Sequence, residues 1–180
     1  EEQKNKNEII VVADGFYELN KHVLDKYPDV NILDLGFNQG LPVATNWGVY
    51  NASNEYILVV NDDNVFPKNW DVDLEPYLSK KVVVSPNQIE PNPSMFKQFE
   101  IQNLGKNPNE FDLEEFDNTG STLPFAMHKL DYLAIGGWDI MYPSPHVVDW
   151  DFFLKCEYVG YRMDRVYTTH FYHFAGASTR

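Results

Sequence analysis

The chain has 180 residues, 43% of them hydrophobic and 23% charged, with a single cysteine, Cys156. That length suits one domain with its own core, and one thiol excludes an internal disulfide framework or a cysteine-based zinc site. A formal charge of −13, from 14 Lys+Arg against 27 Asp+Glu, repels nucleic acid and anionic lipid, so neither is an expected partner. No apolar run reaches the roughly 18 residues of a membrane span, and the start is polar, so a soluble protein of the reducing cytoplasm is expected.

After the polar stretch Glu1–Asn7, the apolar run Ile9–Ala13 predicts a strand buried on both faces, as in parallel sheets, ended by Asp14-Gly15. Leu19, Val23, Leu24 and Tyr27 recur at helical spacing until Pro28 stops them. Ile32, Leu33 and Leu35 read as a second strand closed by Gly36. Pro42–Ala52 reads as a helix, since proline is tolerated in a first turn and Val43, Ala44, Trp47 and Tyr50 share a face. Tyr56–Val60 is a third strand, running into Asn61-Asp62-Asp63-Asn64. Trp70–Leu78 suits a short helix and Val82–Val84 a short strand.

From Pro86 to Asn118 the chain is rich in Pro, Asn and acidic residues without periodicity, which predicts a functional loop or lid, or a mobile connection. Its Phe96, Phe99, Phe111 and Phe116 could pack the loop down or stack on a ligand ring. Order resumes at Leu123–Met127, then a helix near Leu130–Ile135, the turn Gly136-Gly137-Trp138-Asp139, and a last helix from about Asp149 to Val159 capped by Gly160. Tyr161–Thr168 is a closing strand leading to His170 and His173. Alternation of strand and helix predicts an α/β fold with a mainly parallel sheet.

Three groups of residues could carry chemistry. Asn61-Asp62-Asp63-Asn64 lies past the carboxyl end of a strand, where open sheets bind ligands. Adjacent carboxylates there suit a divalent cation and through it a diphosphate, although Asp and Asn also make ordinary solvated turns. Asp149 and Asp151 flank Trp150 at a helix start, where the dipole favours carboxylates, and either could serve as a general base. His170 and His173 could offer a neutral imidazole to a metal. Cys156, among Phe152, Phe153 and Val159, reads as a buried small hydrophobe.

These pieces occur in a recognisable order. Glu8-Ile9-Ile10-Val11-Val12-Ala13-Asp14-Gly15 resembles the second-strand signature of the family 2 (GT-A type) glycosyltransferases. Asn38, Gly40, Ala44, Asn46, Gly48 and Ala52, then Glu55-Tyr56-Ile57-Leu58, the acidic cluster and Pro67, look like that family's best-known stretch. Gly136-Gly137-Trp138-Asp139 resembles its glycine-glycine-aromatic-acid motif, Asp149-Trp150-Asp151 and Gly160 its acidic helix, and His173 to Ser178 its closing segment.

The resemblance implies a single GT-A domain over 1–180, with a nucleotide-sugar half at 1–85 and an acceptor half at 86–180. It implies an inverting, metal-dependent transfer from a nucleoside-diphosphate sugar, UDP-linked, to a hydroxyl of a glycan or other acceptor, in polysaccharide biosynthesis. Asp14 would contact the nucleotide. Asn61 and Asp63 occupy the ends of the family's Asp-x-Asp motif, with Asp63 the metal ligand and Asp62 beside it. Asp149 would be the catalytic base. Asn38, Gly137, Trp138, Asp139, Trp150 and Asp151 would meet substrate, and His173, with His170 as the alternative, would complete a Mn²⁺ or Mg²⁺ site. Nothing upstream of Glu8 supplies the family's first strand, which lies between the Ile9 and Tyr56 strands. An upstream segment is therefore expected to fill that place and to tighten nucleotide binding. A silent glycan- or nucleotide-binding module of the same fold, and a nucleotidyltransferase of related architecture, are the competing readings. The oligomeric state is left open.

Overall fold

The computed structural model describes residues 7–15, 17–91, 106–111, 116–118, 123–142 and 147–174. The described chain divides into two compact units, one formed by 1–57 with 129–155 and the other by 58–128 with 156–180.

In the first unit, β1 (Ile10–Ala13) pairs parallel to β2 (Asn31–Asp34), with Val11 opposite Ile32 and Val12 opposite Leu33. The helix α1 (Tyr17–Leu24) connects them. Among the described residues β1 has this one neighbour, and all four of its residues are half-buried, not buried on both faces as the apolar run predicts. The run reports apolar character, while burial on both faces also needs a strand on each side. β1 and the strand at Tyr56–Val59 belong to different sheets, so the two are not paired directly.

The helix α2 (Leu41–Asn51) follows with Pro42 in its first turn, and Gly48 lets it approach β1, since a Cβ there would stand 3.1 Å from Val12 Cγ2. The helices α4 (Lys129–Ile135) and α5 (Val148–Tyr158) complete the elements of this unit, α5 running on into the second. Tyr132 and Phe152, both fully buried, pack ring on ring at 5.0 Å.

The second unit is built on a sheet in the order β3-β7-β5-β8-β4, with β6 also on β5. The strands are β3 (Tyr56–Val59), β4 (Asn64–Val65), β5 (Val82–Pro91), β6 (Phe116–Asn118), β7 (Phe125–His128) and β8 (Arg162–His173). The α/β class agrees with the sequence, but the sheet is mixed: β5 runs parallel to β8, and antiparallel to β6 and β7, as β4 does to β8. A buried strand carries the same apolar signature whichever way its neighbour runs, so direction is not encoded in the run itself. Leu74, Val82, Val84, Ala126 and Val166 form a core cluster, flanked by Leu58, Trp70 and Leu78. Trp70 and Leu74 come from α3 (Trp70–Leu74), which continues as a 3-10 turn, Glu75–Tyr77.

Two readings of the sequence need correction here. The stretch from Pro86 is not irregular at its start, because Pro86–Pro91 continues β5. A further part forms the 3-10 turn Pro108–Glu110, and Phe111 packs edge-on against Tyr172 at 5.8 Å. Phe96 and Phe99 lie outside the described residues. The closing strand also runs on past Thr168, so that His170 and His173 are part of β8.

The parallel pairing of β5 with β8 is interrupted. Val82–Pro86 faces Arg162–Val166, yet Asn87 faces His170, leaving Tyr167, Thr168 and Thr169 as a bulge on β8. Pro86, which has no N–H to donate, sits at that irregularity, a place where a strand tolerates proline. The Thr169 hydroxyl donates to Asp73 Oδ2 of α3 at 2.8 Å, and the His170 amide donates to Asn109 Oδ1 at 2.8 Å. Side chains thus fix the bulge from two directions.

Candidate functional site

In the second unit, the turn after β3 leads into β4, which pairs Asn64 with His173 of β8. That register brings two of the expected metal ligands together. His173 Nε2 stands 3.2 Å from Asp63 Oδ2, with the Asp63 and His173 side chains only 10% and 17% exposed. The Phe174 amide donates to the Asp63 carbonyl at 2.9 Å, which secures the backbone of the pair. On its other side the ring meets a residue that the sequence reading missed: His173 Nδ1 lies 2.5 Å from Glu90 Oε1. Glu90 is one residue beyond Ile89, which faces Tyr172 in the β5–β8 ladder, so adjacent strands deliver both groups. Had Pro86–Pro91 been read as strand, Glu90 would have been a carboxylate beside a histidine-bearing strand.

Burial, the largest single influence, pulls the His173 pKa down. Hydrogen bonds that the ring donates to Asp63 and Glu90, with the negative charges of those two groups, outweigh it and raise the pKa to about 9. His170 behaves in the opposite way. Its Nδ1 is 3.0 Å from Asn87 Nδ2, no carboxylate faces it among the described contacts, and burial lowers its pKa. Asn61 is half-buried and its carbonyl accepts from Asn64 Nδ2 at 3.3 Å, while Asp62 is exposed.

Among the described residues no three His, Cys, Asp or Glu side chains form a group able to hold a metal by themselves. The donor chemistry nevertheless fits a divalent cation that takes its remaining ligands from phosphate, the usual habit of Mg²⁺. Adjacent ligands of an octahedral ion at about 2.1 Å stand about 3 Å apart, close to the 3.2 Å between His173 Nε2 and Asp63 Oδ2. Asn64 Oδ1 is a buried acceptor without a hydrogen-bond partner among the described residues, and it neighbours Asp63.

The remaining expected residues lie in the first unit. Both Asp14 oxygens accept backbone amides, from Gln39 at 2.6 Å and Gly40 at 2.9 Å, and Asn38 Oδ1 also accepts from Gly40 at 3.1 Å. The Asp-Gly pair therefore closes onto the entry of α2. Gly15 has a φ of +79°, and a Cβ there would meet the Asn38 amide nitrogen at 2.9 Å.

The Gly136-Gly137-Trp138-Asp139 turn is gripped by Asn46 of α2. Asn46 Oδ1 accepts from the Tyr132 hydroxyl at 2.6 Å and the Trp138 amide at 2.9 Å, and its Nδ2 donates to the Trp138 carbonyl at 2.8 Å. Gly137 has a φ of +66°, and a Cβ on it would reach 2.5 Å from Asn46 Oδ1. Trp138, expected to meet substrate, is only 1% exposed, so its ring belongs to the core and not to a ligand-facing surface. Asp139 Oδ1 accepts from the Met141 amide at 2.9 Å.

On α5, Asp149 Oδ1 accepts the Trp150 amide at 2.9 Å and Trp150 is 63% exposed. Asp151 forms an ion pair with Lys155 at 2.6 Å and accepts from the Tyr142 hydroxyl at 3.3 Å. The charge of Asp151 is the chief reason that the Tyr142 phenol is held above its ordinary pKa.

The glycosyl transferase family 2 model matches residues 1–132. The chain belongs to that family. A search of curated proteins gives no match. Among solved structures the fold is similar to GalNAc-T7 with UDP, GalNAc and Mn²⁺, at a TM-score of 0.66 and 13% identity over 92% of this chain and 37% of that one. It is also similar to the mannosyltransferase PcManGT from Pyrobaculum calidifontis in complex with GDP-Man and Mn²⁺, at 0.60 and 16%, over 96% of this chain and 49% of that one. The chain thus spans about a third to a half of those proteins, and the likeness establishes a GT-A fold. Among the described residues, no helix of this family member is long and apolar enough to cross a membrane.

Proposed function

We propose that the chain is the donor-binding and catalytic domain of a metal-dependent glycosyltransferase. It moves a sugar from a UDP-linked donor to a hydroxyl of a glycan or similar acceptor, with inversion. The observation that carries this reading is the close approach of His173 Nε2 to Asp63 Oδ2 in a family 2 domain. Both similar structures contain a nucleotide or nucleotide sugar and Mn²⁺, which agrees with it.

Asp63 and His173 would hold Mn²⁺ or Mg²⁺, and the bound cation supplies positive charge against the negative charge that grows on the departing diphosphate. The rest falls to side chains of the chain. Asp149 takes the proton of the acceptor hydroxyl as that oxygen attacks the anomeric carbon from the face opposite the diphosphate. Asp151 is a weaker candidate for the base because Lys155 and Tyr142 already engage its carboxylate. Trp150, exposed beside Asp149, offers an aromatic face to a sugar. Asn46 and Gly137 keep the turn before Asp139 in place.

The test is a panel of nucleotide sugars with Mn²⁺ and a series of hydroxyl acceptors, read by release of nucleoside diphosphate. Release that depends on Mn²⁺ and disappears in Asp63→Ala supports the reading. Nucleotide binding without release from any donor would return the chain to a silent binding module.

A further inference from the structure

The geometry points to Glu90 as the positioning residue of the metal site, holding one proton of His173 on Nδ1 so that Nε2, the nitrogen beside Asp63, is the one that gives up its proton to a cation. This rests on the metal-dependent reading above.

A neutral imidazole has one lone pair and one N–H, and a cation at Nε2 needs the lone pair there. Asp63 alone works against that state, because its carboxylate, 3.2 Å from Nε2, would itself accept an Nε2–H. When the ring loses one of its two protons, an acceptor at the opposite nitrogen makes Nδ1 the one that keeps its proton. Glu90 Oε1, 2.5 Å from Nδ1, is that acceptor.

Glu90 is also well placed to stay there. Its side chain is 23% exposed, and Gln88 Nε2 lies 3.4 Å from the same oxygen. It stands on β5, flanked by β8 on one side and by β6 on the other, with Glu90 opposite Asp117 in the β6 ladder. Carboxylates commonly orient a metal-binding histidine in this way, and losing one typically weakens metal binding by about 10–100-fold.

The experiment compares Glu90→Gln, Glu90→Ala and Asp63→Ala with the parent chain. Mn²⁺ affinity is measured by the spin resonance of free Mn²⁺, with and without UDP, and the His173 tautomer is read by nitrogen-15 NMR with diamagnetic Mg²⁺ and UDP. The expected result is an Nδ1–H tautomer in the parent chain and Mn²⁺ affinity reduced about 10–100-fold in Glu90→Ala. Glu90→Gln, which keeps an acceptor oxygen but no charge, should lose less and retain the tautomer. A thermal melt identifies any variant that fails to fold, and Glu90→Gln serves if Glu90→Ala does so. Parent-like Mn²⁺ affinity and an unchanged tautomer in Glu90→Ala, with binding lost in Asp63→Ala, would overturn the role of Glu90 and leave the metal reading standing. A parent chain that binds no Mn²⁺ even with UDP would overturn both.

Discussion

The region around Asn46 and the region around Asp63 use similar polar residues to opposite ends. In the first, Asn46 grips Trp138 at both its amide and its carbonyl, Asp14 closes the entry to α2, and the buried group left without a partner among the described residues is a donor, Trp138 Nε1. In the second, acceptor capacity is left over. Asn64 Oδ1, Asn87 Oδ1 and Gln88 Oε1 are buried without a hydrogen-bond partner among the described residues. Buried acceptors of that kind are costly unless something satisfies them, so they mark a ligand-binding region better than the residue types alone do. A motif residue can therefore belong to a family signature through the fold or through the chemistry.

The largest expected effect belongs to neither region. Asp149→Asn should lower turnover by about 10²–10⁴-fold, because the amide keeps the shape but takes no proton. Mn²⁺ affinity and melting temperature should both stay near those of the parent chain. Near-normal turnover would move the base to Asp151.

Asp63→Ala should sharpen the contrast from the other side. Mn²⁺-dependent UDP binding should fall by about 100-fold or more in titration calorimetry, with a smaller, partial loss of melting temperature because Glu90 still holds His173. A large loss of stability with Mn²⁺ binding intact would make the pair structural and erase the distinction.

Acidity gives a graded test. The His173 pKa is raised to about 9, so below that pH a cation entering at Nε2 must displace a proton. Mn²⁺ affinity should rise about tenfold per pH unit up to about pH 9 and then level off. Stability of the metal-free chain runs the other way. The charged His173 contribution is complete below the ordinary histidine pKa of about 6.5 and is lost as pH climbs through about 9. Chemical denaturation across this range checks the sign, and Glu90→Gln should shorten the window from its upper end.

The smallest functional effect should come from Gly137→Ala. It combines a φ of +66° with a Cβ 2.5 Å from Asn46 Oδ1, and should cost on the order of 1–3 kcal/mol in denaturant unfolding. Mn²⁺ affinity measured well below the melting temperature should be unaffected. A selective loss of metal binding instead would break the comparison.

The elements legible in the sequence were those whose pattern is local. Val43, Ala44, Trp47 and Tyr50 announce α2, and Ile57, Leu58 and Val59 announce β3, because spacing and apolar runs need no knowledge of neighbours. The second half of β5 was hidden because Pro86, Asn87, Gln88 and Glu90 have the composition of a loop. What makes them a strand is β8 on one side and, from Ile89 onward, β6 on the other. For the same reason Asp63 and His173 could be named from their place in a family pattern, whereas Glu90, which has meaning only across a strand pair, could not. Asn46 was visible in the motif, but its grip on Trp138 links residues far apart in the chain.

The bulge on β8 acts as a counter. Upstream of it the β5–β8 ladder sets Val166 beside Pro86, and continued without interruption that spacing would bring His170 next to Glu90. The three residues Tyr167, Thr168 and Thr169 advance β8 so that His173 arrives there, while His170 is left against Asn87. The choice between two histidines is thus made by a length and not by either side chain. Drawing those three residues into the ladder would offer Glu90 the wrong imidazole, whereas deleting them would leave His173 opposite Glu90 in an uninterrupted ladder, and a single residue added between His170 and His173 would turn His173 to the opposite face of the sheet. Insertions between the bulge and His173 should therefore displace the imidazole where removal of Tyr167, Thr168 and Thr169 together does not, a pattern that a library of length variants would expose directly.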